Sequence, residues 1–347
     1  MKFYTKQHKY SCGIDLHTKK MYVCILDEAG EIMLHKNIRT DPNNLLKVLK
    51  PFREDVVVAV ECMFTWYWIA DLCAQENIKF VLGHALYMKA IHGGKAKNDK
   101  IDSRKIALLI RSGMFPQAYV YPTKMRATRD LLRRRNHLKR KRAELLAHIQ
   151  NTKSQYNLPD LLGTIAKPEN RKGIVERFDH PCVKKSVSVD LQMVYAYDPV
   201  IIGLENYIIK TAQNHDPVSY ALLKTIPGVG RILALVMLYE IENIKRFSRV
   251  QDFASYSRLV KCIKESNGKK YGTSGKKIGN AHLKWAFSEA SVIFLKGNEP
   301  GKKYLSRLTK KHGKGKALSI LAHKLGRATY FMLKNKKPFD LQKFLGL

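Results

Sequence analysis

The sequence predicts three regions: a mixed α/β domain over residues 1–122, a basic helical, coiled-coil-like region with a variable insertion over 123–215, and a mainly α-helical domain over 216–347. Three observations carry this. Hairpin-like β runs followed by alternating helical and β segments fill the first third, the order of a mixed sheet and not of an all-parallel doubly wound unit. Basic residues then crowd one long helical stretch from 123 onward. Beyond 217 the pattern is helical, interrupted by glycine-rich turns.

In the first region, residues 10–16 and 21–26 are β-like runs joined by a turn at Thr18-Lys19-Lys20, and 31–38 adds a third strand after Glu28-Ala29-Gly30. Asp41-Pro42 opens a helix through Leu49, because Asp caps well and Pro suits the first turn. Residues 56–60 (Val-Val-Val-Ala-Val) form an unbroken run suited to a central strand buried on both faces. A helix over 65–75, a strand over 78–82, a helix over 84–91, a basic loop over 93–98 and a helix over 99–111 complete the region.

From 123, Arg133, Arg134, Arg135, Lys139 and Arg140 stand among the basic residues of a long helix. Leu131, Leu138 and Leu145 recur at seven-residue spacing beside Leu132, Leu146 and Ile149, giving an apolar seam for coiled-coil or hairpin packing. Residues 157–200 are broken by Pro159, Pro168, Pro181 and Pro199 with Gly163 and Gly173, so helix is expected to resume only near 200. Further on, Pro227-Gly228-Val229-Gly230 before the apolar run 232–238 resembles the turn of a helix-hairpin-helix element, which presents backbone N–H groups to a phosphate and reads no bases. A tight turn between packed helices is the simpler alternative.

Lys plus Arg total 63 against 29 acidic residues, a formal charge of +34. Such an excess repels itself unless a polyanion neutralises it, so the expected partner is nucleic acid, held through its phosphates. A membrane partner is excluded by the lack of an apolar run near the ~20 residues of a spanning helix. The polar segment before Tyr10 is no secretory signal, and the six cysteines show no CxxC spacing; they are expected to be buried small hydrophobes in a reducing, cytoplasmic compartment.

Four acids stand out in this basic chain. Asp15 lies inside an apolar strand, where a carboxylate is costly without a partner or a metal. Glu61 comes directly after the buried run 56–60 and so emerges at the carboxyl end of a central strand. Asp99 and Asp102, three apart, share one face at the start of a helix. Together they suit one or two Mg²⁺ ions, with Mn²⁺ an alternative, in a site for phosphoryl transfer. As single residues, Asp99 and Asp102 also fit as ordinary first-turn acids favoured by the helix dipole.

Gly13-Ile14-Asp15, Val60-Glu61 and Lys97-Asn98-Asp99-Lys100-Ile101-Asp102 resemble the DEDD signature of the insertion-sequence transposases guided by a bridge RNA, relatives of the Piv DNA invertase. The resemblance implies an RNase H-like (RuvC-like) fold for the first domain. It continues through Ser266-Asn267-Gly268 and Lys277-Ile278-Gly279-Asn280, similar to the S-x-G and K-x-G-N segments of the family's second domain. It implies that the serine, Ser266 here with Ser274 as the second candidate, attacks DNA and forms a phosphoserine link. Lys264, Lys269, Lys270, Lys276 and Lys277 would hold phosphates around it. It further implies a guide RNA, donor and target DNA, and a homodimer assembling to a tetramer, with each active site built from the carboxylates of one subunit and the serine of another. The setting would be a prokaryotic cytoplasm at the nucleoid. One departure is visible: where the family has Tyr-Ala-Gly-Leu-x-Pro, this chain has Tyr256-Ser257-Arg258-Leu259-Val260-Lys261. From the residues alone, a metal-dependent junction nuclease using water and a non-catalytic nucleic-acid-binding protein stay open.

Overall fold

Alternation along the strands decides how the first unit packs. The computed structural model describes residues 2–92, 98–160, 163–212, 216–274 and 278–346. The chain divides into two compact units, Met1–Thr123 and Lys124–Leu347. In the first, the elements run β1 (Phe3–Tyr4), β2 (Tyr10–Leu16), β3 (Lys20–Leu26), β4 (Ile32–Arg39), α1 (Pro42–Leu49), β5 (Val56–Glu61), α2 (Trp66–Gln75), β6 (Lys79–Gly83), α3 (Ala85–His92), α4 (Asp99–Arg111) and β7 (Phe115–Pro116). Five strands form one mixed sheet in the order β4-β3-β2-β5-β6: the β4-β3-β2 part is antiparallel and β2-β5-β6 is parallel. The expected strands and helices are present, the basic loop expected over 93–98 lies, at 93–97, outside the described residues, and the two-residue strands β1 and β7, which pair with each other, are additions.

Side chains alternate between the faces of a strand. Cys12, Ile14 and Leu16 of β2 join Val56, Val58 and Val60 of β5 in a core with Leu45, Leu49, Trp66 and Ile69 of α1 and α2. The other face carries Val57 and Ala59 and is covered by Ile106, Leu109 and Ile110 of α4. Gly13 faces the same side. A Cβ there would lie 2.2 Å from the Ala107 backbone N and 2.4 Å from the Ser103 carbonyl O, so glycine is what lets α4 rest directly on β2.

The second unit holds α5 (Thr123–Gln155), α6 (Pro181–Ala212), α7 (Pro217–Lys224), α8 (Arg231–Ile241), α9 (Val250–Tyr256), the hairpin β8 (Cys262–Ser266) and β9 (Lys269–Ser274), α10 (Ala281–Ile293), α11 (Glu299–His312), α12 (Lys314–Asn335) and α13 (Leu341–Leu345). Ion pairs Arg135–Glu205, Arg142–Asp198 and His148–Asp190 ascend α5 as they descend α6, so the two long helices are antiparallel. Leu146 and Ile149 meet Val187, Leu191 and Val194 between them. The expected seam is thus used within the chain, with Leu131, Leu138 and Leu145 half-buried at its margin.

The expectation that helix resumes near 200 is corrected: α6 begins at Pro181 and continues through Pro199. Pro181 occupies the first helical position, where its missing N–H costs nothing. Pro199 is preceded by Asp198, whose carboxylate accepts from Arg142 and from the fully buried Arg171, and these contacts offset the lost helical hydrogen bond. The cysteines also divide: Cys12, Cys24 and Cys73 are buried as expected, whereas Cys62 and Cys182 are exposed. No helix among the described residues is long and apolar enough to cross a membrane.

Candidate metal and nucleophile sites

Asp15 lies on the α4 side of β2, as Gly13 does, by strand alternation. The parallel register Ile14↔Val60 places Asp15 and Glu61 side by side at the carboxyl ends of neighbouring strands, on the same sheet face. The helix α4 that covers this face begins with Asp99 and Asp102. Asn98 caps it by accepting from the Lys100 N–H at 2.8 Å. His35 of β4 pins the same turn: its Nε2 donates to the Lys100 carbonyl at 2.9 Å and lies 3.2 Å from Ser103 Oγ. The acids are therefore gathered by one strand pair and one helix end, each fixed by the packing of α4 on the sheet.

Burial raises the Asp15 carboxyl above the ordinary Asp value; His17 opposes this, and the charges of Asp99 and Asp102 add to it. Two residues along β2's line from Asp15 stands His17, a residue that sequence reasoning missed. Its Nε2 lies 3.4 Å from Asp15 Oδ2 and 3.6 Å from Asp99 Oδ1. Its backbone is held by hydrogen bonds with the Lys20 carbonyl and Thr40 Oγ1. The signal was the i, i+2 spacing, which sends both side chains to one face of a strand.

Donor atoms of Asp15, His17 and Asp99 lie within 4.8 Å of one another. Among the described residues, the His17 imidazole is the only basic side chain within 4 Å of Asp15 or Asp99, whereas Asp102 has Lys105 at 3.5 Å. Converging carboxylates with so little positive charge, plus an imidazole nitrogen, fit a divalent cation: Mg²⁺ through the oxygens, and Mn²⁺ with the nitrogen as well. Glu61 stands outside that tight trio, at the adjoining strand end.

In the second unit, Ser266 is the last residue of β8 and faces Lys269 across a two-residue turn. Asn267 and Gly268 both have positive φ, 48° and 69°, as a type I′ hairpin turn requires. The S-N-G segment is therefore a hairpin tip with Ser266, Lys269 and Lys270 exposed. Ser274 ends β9. Its side chain and that of Lys264, together with Lys276 and Lys277, lie outside the described residues.

The Gly279-Asn280 segment anchors the chain beyond the hairpin. Asn280 caps α10, accepting from the His282 and Leu283 N–H groups, and its amide donates to Glu240 at 2.7 Å. Glu240, 2% exposed, also accepts from Arg129 at 3.0 Å and from Arg133 at 2.6 and 2.9 Å. Burial alone would raise its carboxyl, but the hydrogen bond from Arg133, the Arg129 and Arg133 charges and the Asn280 amide together bring it down to about 2. Glu240 sits in the apolar helix α8, so the cost of burying a charge, which singled out Asp15, marks it as well. Gly279 has φ +89°, and a Cβ there would lie 2.6 Å from the Tyr256 carbonyl. Arg258 stands where the resembled family has glycine. It takes φ +54°, so the left-handed turn survives without glycine, and its Nε donates to the Gly279 carbonyl at 2.9 Å.

The remaining expected nucleic-acid contacts divide by environment. Arg133 and Arg135 are engaged by Glu240 and Glu205, while Arg134, Lys139 and Arg140 are exposed on α5. Gly228, at φ +84°, is demanded by packing, since a Cβ would lie 2.8 Å from the Ile293 carbonyl carbon. Gly230 is the N-cap of α8, and a side chain there would meet nothing within 4 Å.

Two comparisons bear on this arrangement. The family described as Transposase IS116/IS110/IS902 family matches residues 220–306. The DEDD_Tnp_IS110 transposase family matches residues 12–157, a span that holds Asp15, Glu61, Asp99 and Asp102. No curated protein matches the chain.

Proposed function

We propose that the chain, two stretches of which match insertion-sequence transposase families, is a transposase of the IS110/IS116 family that exchanges DNA strands through a covalent serine intermediate, guided by an RNA of its own element. The observation that carries this is the meeting of Asp15 and Asp99 at His17, with Asp102 near enough for its charge to raise the Asp15 carboxyl and Glu61 at the next strand end, inside the region that matches the DEDD family. We read the first domain as RNase H-like, with Asp15, His17, Glu61, Asp99 and Asp102 as the residues that hold one or two divalent ions, Mg²⁺ or Mn²⁺. A bound ion would supply Lewis-acid activation of the scissile phosphate.

In this reading Ser266 is the nucleophile. Its Oγ forms a bond to phosphorus as the P–O bond to the leaving strand breaks; the serine proton departs and the leaving oxygen gains one. A hydroxyl of the incoming strand later reverses the step, so the phosphodiester bond energy is conserved. Lys269 and Lys270 beside it would neutralise phosphate charge. The excess of positive charge suits two polyanions, DNA and a guide RNA whose base pairing selects the sites. A homodimer that pairs to a tetramer would bring two DNA partners together.

A second reading has one observation in its favour: the hairpin turn by itself accounts for Asn267-Gly268, so Ser266 could be a turn-flanking residue of a nuclease that uses water. One experiment separates them. Ser266→Ala should abolish both strand exchange and the protein–DNA adduct. A variant that still nicks DNA at the normal rate with Mg²⁺ supports the nuclease; one that still exchanges strands ends the serine assignment. Sequencing the nucleic acid that co-purifies with the protein tests the RNA partner.

A further inference from the structure

We infer that the outer face of α11 is a separate dock for the DNA backbone, distinct from the serine hairpin and from α5. The inference rests on the transposase reading for the identity of the polyanion. In α11, Leu305 and Tyr304 pack against the core of the second unit, which fixes the orientation of the helix. Lys303, Arg307 and Lys310 are spaced i, i+4, i+7 and are all exposed, so they form one stripe away from that core. Lys311 and Lys314 extend it to the turn before α12.

An acid three or four residues away can offset positive charge on a helix face. Here the one acid of α11, Glu299, pairs with Lys302. Among the described residues no carboxylate lies within ion-pair distance of Lys303, Arg307, Lys310, Lys311 or Lys314, in contrast to α5, whose Arg129, Arg133, Arg135 and Arg142 all meet acids. Among the described residues, the stripe is thus left without a matching carboxylate.

Shape adds to charge. Lys303 and Arg307 border a groove of about 510 Å³ whose other lining residues are Pro300, Ser306 and Leu345. Two cations, a hydroxyl and an apolar floor suit a phosphodiester with its sugar against the floor. The stripe from Lys303 to Lys310 rises about 10 Å at ~1.5 Å per residue. That covers about three phosphates at ~3.4 Å of axial rise per strand. Contacts of this kind to phosphate position DNA without selecting sequence.

The test measures the salt dependence of duplex-DNA binding by the full chain. The triple variant Lys303→Ala, Arg307→Ala, Lys310→Ala should lower the slope of log affinity against log salt by about 2–3, because each phosphate contact contributes ~0.9. A control that removes Lys172, Lys185 and Lys210, which are exposed elsewhere on the second unit, should change it by less than one. Restoring charge with Lys303→Arg and Lys310→Arg, leaving Arg307 in place, should restore the slope; this guards against simple misfolding. Equal loss in the triple variant and the control, or loss of binding to single-stranded RNA with duplex binding intact, overturns the dock. If the wild-type chain binds no DNA at all, the transposase reading itself fails, which is a different result.

Discussion

Gly13→Ala adds one methyl group at the contact on which the acidic site depends. Its Cβ would meet Ala107 N at 2.2 Å, Ser103 O at 2.4 Å and Ala107 Cα at 2.9 Å, all backbone atoms of α4. Ordinary contact begins near 3.4 Å, so α4 must withdraw from β2 by about 1 Å or more. The helix contributes Ile106, Leu109 and Ile110 to the core of that face, and overpacking of this kind costs about 1–3 kcal/mol. The same withdrawal carries Asp99 and Asp102 away from Asp15, which stays on the strand. Misplacement on the order of 1 Å in a reacting constellation lowers rates by roughly 100-fold. Denaturant unfolding should therefore show a loss of about 1–3 kcal/mol, and metal-dependent DNA strand transfer should fall by about two orders of magnitude in the fraction that remains folded. Gly203→Ala, a helical site on α6 where a Cβ meets nothing within 4 Å, should instead stabilise by about 0.5–1 kcal/mol. A Gly13→Ala protein with wild-type stability and wild-type activity would refute the claim that α4 sets the site by direct contact.

Three other outcomes rest on the same physics. Glu240→Gln removes the buried carboxylate that Arg129 and Arg133 share and should cost about 3–5 kcal/mol in denaturant unfolding; a change below about 1 kcal/mol would contradict the network's role. Because the Glu240 carboxyl is depressed to about 2 in the fold, its contribution is fully present above the ordinary Glu range and fades as pH falls from there toward 2. The wild type should therefore lose stability across that window, and Glu240→Gln should lack that component. Arg258→Gly exchanges relief of a left-handed backbone, worth about 1 kcal/mol, for the lost hydrogen bond to Gly279, so melting should shift little; a large drop would show that the arginine side chain, and not the turn, is what matters.

Much of the first unit was legible because its segments carry one clear period each. The β-branched, unbroken run 56–60 suits a central strand buried on both faces, and Pro42 after Asp41 marks a helix start. The strands β1 and β7 were invisible because two residues carry no period, and one of them is Pro116. In the second unit, α6 was obscured by prolines whose cost is met by distant partners: Asp198 is fixed by Arg142 and Arg171, which no local pattern announces. The hairpin β8–β9 had a local signal, Asn267-Gly268, that was read as part of a motif instead of as a turn. Asp15, Asp99 and Asp102 were found together because burial cost and helix-face spacing each point at them. His17 was passed over because, beside a turn, a polar residue needs no special explanation; the approach of α4 is what gives it neighbours.

The central claim is that the gathered acids and His17 bind a divalent ion. Titrating Mn²⁺ into the full chain, monitored by the paramagnetic signal of the free ion, tests this without any DNA. Wild-type protein should remove Mn²⁺ from solution saturably, His17→Ala should weaken that binding by roughly 10-fold or more, and Asp15→Asn with Asp99→Asn should abolish it while the fold persists. Equal Mn²⁺ uptake by the wild type and the double Asn variant would contradict the claim outright.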